Sequence, residues 1–181
     1  MTITQYKKII RSMSREELEA HIFQLFAASK AFKDIESSYF SSSDSEKQLE
    51  QLEKKLTRAF TKDNFSLSEC KGILKDAVER CFHKPTVALM QLRFATEAAE
   101  TSAAFGDFGA SFYNALEKEV EHFLDYARTD EAFFQMHEDE FEKLIEICDE
   151  IGYGLAESLD MMFEDAKVEV YGEEEEEEEE E

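Results

Sequence analysis

One proline, Pro85, opens the stretch that most constrains what this chain can fold into. Through Ala104, apolar residues cover most of a helical circumference: Val87, Ala88, Leu89, Met90, Leu92, Phe94, Ala95, Ala98, Ala99 and Ala103. Only Thr86, Arg93, Glu97 and Glu100 interrupt them, as a narrow polar stripe. A helix apolar nearly all round is buried by neighbours on several sides. Pro85 suits its first turn, where a missing N–H costs nothing. Gly106 and Gly109 allow the backbone angles of a tight reversal. The residues that follow place Phe112, Leu116, Val120, Phe123, Leu124 and Ala127 on one helical face. The spacing therefore predicts a helical hairpin at the centre of the fold.

With 181 residues, 16 Phe, six Gly and that single Pro, the chain has long unbroken segments and enough apolar mass to fold. This favours an all-α domain of eight or nine helices, arranged as antiparallel hairpins. Ile3, Tyr6, Ile9, Ile10 and Met13 share a face of a first helix. Ser14 and Glu17 make a capping box for a second, which is expected to bury Leu18, Ile22, Leu25 and Phe26. Phe32, Ile35 and Tyr39 continue the pattern. Ser41 to Ser43 break it and cap a helix with the stripe Leu49, Leu52, Leu56 and Phe60, outside which Glu50, Lys54 and Arg58 are spaced for i, i+4 pairing.

Residues 61–66 mark a seam, after which Ser66 and Glu69 repeat the capping-box signature. Cys70, Ile73, Leu74, Ala77, Val78 and Cys81 then form one face leading into the hairpin. Beyond the hairpin, Thr129 or Asp130 caps a helix carrying Phe134, Phe141, Leu144, Ile145, Cys148 and Ile151. Gly152, as a left-handed C-cap, and Gly154 end that helix. A last helix holds Leu155, Leu159, Met162, Phe163 and Ala166, and Val168 to Tyr171 is compatible with extended chain. Helix pairs starting near Leu67 and Ala110 are offset by about 43 residues, a spacing found in stacked helical repeats. The expected organisation is one domain over residues 1–168 and a disordered glutamate tail over 169–181.

The net charge of −23 is unevenly placed: residues 1–60 are nearly neutral, residues 130–172 carry two basic against fourteen acidic side chains, and 173–181 are all glutamate. Such a half repels a phosphate backbone, so no nucleic acid is expected there. The run Glu173, Glu174, Glu175, Glu176, Glu177, Glu178, Glu179, Glu180 and Glu181 cannot fold alone. It is a solubilising tail or a contact for a basic protein. Cys70, Cys81 and Cys148 lack metal spacing, and the first two, eleven residues apart on a helix, are about 16 Å apart, too far for a bridge. They read as buried thiols of a cytoplasmic protein, and no segment has the apolar length of a membrane span.

The run Gly106-Asp107-Phe108-Gly109-Ala110-Ser111-Phe112-Tyr113-Asn114, the later Ile151-Gly152-Tyr153-Gly154-Leu155, and the opening Lys7-Lys8 with Ser14-Arg15-Glu16-Glu17-Leu18 resemble an uncharacterised bacterial family, domain of unknown function six-one-five-five. The likeness covers roughly residues 5 to 166. It implies an all-helical bacterial domain and brings no catalytic residues with it.

Constellations that could carry chemistry are few. Glu119 and His122 share a helix face at a spacing used by di-iron bundles, but no second copy exists. Asp107-Phe108-Gly109 matches the kinase metal triplet by letter without its companion motifs, and reads as a turn. Glu97 and Glu100 sit on the most buried helix, where a carboxylate can mark a site, though pairing of Arg93 with Glu97 explains them as well. Phe133, Phe134, Met136, Met161 and Met162 offer either core or an adaptable surface. No cofactor, catalytic residue or metal site is expected. The sequence reads as a cytoplasmic interaction or scaffold module with a basic or helical protein partner. The alternative is a helical-bundle enzyme or metal protein using Glu97, Glu100, Glu119 and His122.

Overall fold

The computed structural model describes residues 1–40 and 42–172, with the side chains of 37–40 and 42–44 set aside. The described residues form helices and no strand: α1 Ile3–Ser12, α2 Arg15–Ala28, α3 Lys30–Phe40, α4 Ser42–Phe60, α5 Leu67–Val78, α6 Lys84–Phe105, α7 Ala110–Ala127, α8 Glu131–Asp149 and α9 Leu155–Tyr171. The fold is all-α, as the patterning predicts. Tyr39, the cap assigned to Ser41–Ser43 and the run Glu173–Glu181 lie outside what is described, although α4 already begins at Ser42.

The α6–α7 hairpin is the centre. Helix α4, α5, α7 and α8 all pack on α6, which buries Ala88, Met90, Leu92, Phe94, Ala95, Ala98 and Ala99. Four neighbours around one helix describe a bundle more than a row of hairpins each touching only the next. The expected stripe of α7 is buried in full, joined by Tyr113 and Ala115. Helix α8 buries Phe134, Phe141, Leu144 and Cys148, and α9 closes over them with Leu155, Leu159, Phe163 and Ala166. Phe141 and Phe163 stack with centroids 4.5 Å apart, inside the favourable range for aromatic pairs. The seam at 61–66 separates no halves. One core cluster runs from Leu52 to Ala166, with Phe65 of the seam packed against it.

Several local expectations are corrected. Thr86 faces inward rather than lying on a polar stripe, and His83 Nδ1 meets its hydroxyl at 2.8 Å. Arg93 does not salt-bridge Glu97; it spans to Glu53 on α4 at 2.7 Å and Glu140 on α8 at 3.1 Å. A long guanidinium on a central helix finds better-placed acids on its neighbours than on its own turn. Ser66 is the N-cap of α5 without a side-chain bond, and the Glu69 carboxylate pairs with Lys62 instead of reaching back. Helix α5 ends at Val78, so Cys81 lies beyond it, its thiol donating to the His83 carbonyl. Helix α8 ends at Asp149, and Gly154 is the N-cap of α9 rather than the close of α8. Val168 to Tyr171 is helical, so the folded chain continues past residue 168, with Tyr171 donating to Glu138 at 3.0 Å.

The largest correction concerns the first two helices. Neither α1 nor α2 has a buried residue. Leu18 and Leu25 are half-buried, but Ile22 and Phe26 are open to solvent. The described part of α3 likewise adds no buried side chain, so α1–α3 stand outside the core as an N-terminal arm.

Candidate interaction surface

The arm is well formed for something so little buried. Thr2 and Gln5 make a reciprocal capping box at the start of α1, as do Ser14 and Glu17 at the start of α2. Each satisfies backbone donors that would otherwise face water, a contribution of about 0.5–2 kcal/mol per cap. Tyr6 joins the two helices, its hydroxyl 3.3 Å from His21 Nε2. Leu18, His21 and Leu25 line the half-buried side of α2. Ile22 and Phe26 are each 42% exposed and Phe23 is 72% exposed, with the Lys33 ammonium over the Phe26 ring, 5.7 Å from its centroid.

Helix α1 divides in the same way. Ile3, Tyr6 and Ile9 are exposed on its apolar side, while Lys7, Lys8 and Arg11 form a cationic side with no acid anywhere in the helix. Exposed apolar side chains scattered singly are ordinary, and here they fall on two successive capped helices. The basic flank is set against a molecule whose residues 130–172 are strongly acidic.

The proposed chemical residues are dispersed. Glu97 accepts a short hydrogen bond from Thr57 on α4. Burial raises its carboxyl above the usual range, and the Thr57 bond partly offsets this. Glu100 is exposed. Glu119 lies 3.2 Å from His122 Nδ1, so the same-face spacing is real. The Glu119 side chain is only 13% exposed. No hydrogen bond or ion pair joins the Glu97–Thr57 pair to the Glu119–His122 pair among the described residues. Nor does any group of three or more His, Cys, Asp or Glu among them lie together as for a metal ion. The three cysteines are buried and unpaired. Burial pushes the Cys70 thiol up to about 11 and that of Cys148 up to about 12, so neither is a ready nucleophile.

The two glycine-flanked turns meet. Asp107 accepts from its own turn, the Gly109 N–H at 2.6 Å, and from the Tyr113 and Tyr153 hydroxyls at 3.1 and 2.9 Å. The Gly109 bond is the main reason its carboxyl is held below the usual range. Tyr153 has φ +60° between two left-handed glycines, and its ring lies 5.1 Å from that of Tyr113. One carboxylate thus ties the α6–α7 turn to the α8–α9 turn. This is a structural clamp, and confirms Asp107 as a turn residue. Of the Phe/Met set, Phe133 and Phe134 are core, whereas Met136 and Met161 are exposed.

No family model matches the chain, and comparisons with curated proteins and with solved structures give no match either. Among the described residues no helix is long and apolar enough to cross a membrane.

Proposed function

We propose that the protein is a cytoplasmic interaction module of the scaffold kind, whose N-terminal arm docks a helical partner protein. The partner's surface is an apolar groove with an acidic rim, which complements Ile22, Phe23 and Phe26 together with Lys7, Lys8 and Arg11. The observation that carries this reading is the open apolar side of α2 on a capped helix that the core leaves uncovered. Burying such side chains on a partner gains about 1.5–3 kcal/mol each when complete. A preformed arm also avoids much of the ordering cost of a disordered segment. The glutamate run at the opposite end of the sequence is the second contact, suited by charge to a basic protein surface. Salt ions screen such an attraction over about 8 Å at physiological ionic strength, so that contact is salt-sensitive and the arm's apolar contact is not.

The test is affinity capture with the full chain beside Phe23→Asp, the pair Lys7→Glu with Lys8→Glu, and a chain ending at Gly172. The expected result is a stoichiometric helical partner lost by both arm variants, with only salt-sensitive material lost on removing the tail. A clean monomer with no partner, or equal recovery by all four forms, overturns the proposal.

A further inference from the structure

A cleft of about 730 Å³ opens between α3, α4, α5 and α6, on the face of the core that the hairpin partner α7 does not cover. Ligand pockets commonly span about 300–1,000 Å³, so its size suits a small organic molecule. Its rim carries Lys30, Lys47, Lys55 and Arg80 against Asp34 and Asp76. That is a cationic excess in a chain of net charge −23. Lys30 and Lys55 make no ion pair with any described residue. The apolar lining with surface open to the cleft is Ile35, Ile73 and Ala77, each partly buried, with Leu52 and Met90 fully buried beneath them.

We infer that this cleft binds a small amphiphilic anion, a carboxylate or phosphate head on an aliphatic body, with the head between Lys30 and Lys55 and the body over Ile35, Ile73 and Ala77. The two halves of the lining select for both halves of the ligand. A purely polar anion leaves the floor wetted. A neutral or cationic amphiphile leaves the lysines without a counter-charge, or meets them with repulsion. The site is independent of the arm surface and stands or falls separately from the partner proposal.

The experiment is calorimetric titration of the full chain with butyrate, hexanoate, octanoate and decanoate, each below its micelle threshold, and with decan-1-ol and decylammonium. Methyl resonances are followed in parallel. Decanoate is expected to saturate one site and to shift the Ile35 and Ile73 methyls. Affinity should rise by about fourfold per methylene that becomes fully buried. Decan-1-ol and decylammonium should bind at least about tenfold more weakly. Lys30→Gln and Lys55→Gln should each weaken decanoate by about threefold to fivefold, in keeping with exposed charges, whereas Lys71→Gln, on α5 outside the cleft, should leave it unchanged. Unaltered melting temperatures show that these surface variants remain folded. The inference is overturned by an absence of saturable binding, by equal binding of the three ten-carbon compounds, or by shifts confined to Ile22 and the rest of the arm.

Discussion

Truncating Phe112 should be costly, and the structure allows the cost to be worked out. Its side chain is 3% exposed at the first turn of α7. Four rings surround it: Phe108 at 5.0 Å, Tyr113 at 5.8 Å, Phe65 at 6.0 Å and Phe60 at 6.4 Å. Removing a buried phenyl costs about 3–5 kcal/mol, from lost transfer energy and the cavity left behind. Aromatic pairs at such separations add about 0.5–1.5 kcal/mol each, which pushes the cost upward. Phe65 and Phe108 lie at the edge of the core and can relax into the gap, which pulls it back. The balance is about 4 kcal/mol, a large part of the ~5–15 kcal/mol of a whole domain. For a domain of this size that lowers the melting temperature by about 8–16 °C. Urea unfolding followed by helical circular dichroism measures it, with Phe23→Ala, predicted to change stability by no more than about 0.5 kcal/mol, as the control. A loss below about 1 kcal/mol for Phe112→Ala, or above about 1.5 kcal/mol for Phe23→Ala, would refute the division between core and arm.

Glu97→Gln should raise the melting temperature at neutral pH. The native carboxyl is raised by burial, so the folded state binds more protons, and stability falls as pH climbs from about 4.5 through the raised value. The amide keeps an acceptor for Thr57 and removes that slope, so the advantage should vanish toward pH 4 in a pH series of thermal melts. Asp107→Ala should loosen the α8–α9 turn, since Tyr153 then keeps its left-handed backbone without its clamp. The native carboxyl is depressed, so its contribution is present above the ordinary aspartate range and is lost as pH falls through the lowered value. Amide exchange at Gly109, Tyr153 and Gly154 should report both effects. Alkylation of Cys70 and Cys148 by iodoacetamide should be slow in the native protein and fast in urea, read by mass spectrometry; rapid native labelling would contradict their burial.

Much of the bundle is visible in the sequence because periodicity reports which residues share a face. The α7 stripe from Phe112 to Ala127 and the core residues of α4 and α8 follow from spacing alone. Periodicity does not report whether another helix lies against that face. Ile22 and Phe26 carry the same signature as Leu116 and Phe123, yet one pair meets solvent and the other the core. Arg93 shows a related limit. Its i, i+4 acid is readable, while Glu53 and Glu140 are forty and forty-seven residues away in sequence and only the packing brings them near. Ser66 and Glu69 carry a capping signature that does not form, and the Glu69 carboxylate pairs with Lys62. The cleft was invisible for the same reason, since Lys30, Lys55, Ile73 and Met90 come from four helices and each looks ordinary in its own.

Native-state amide hydrogen exchange on the full chain tests the central claim most directly, because it reads each helix in one sample. If α1 and α2 are an uncovered arm on a bundle built around α6, their amides exchange through local opening and lose protection well before those of Leu92, Phe94 and Leu116. Protection in α1 and α2 equal to that of α6, exchanging only with global unfolding, would mean that the apolar side of the arm is covered, and the account would be wrong.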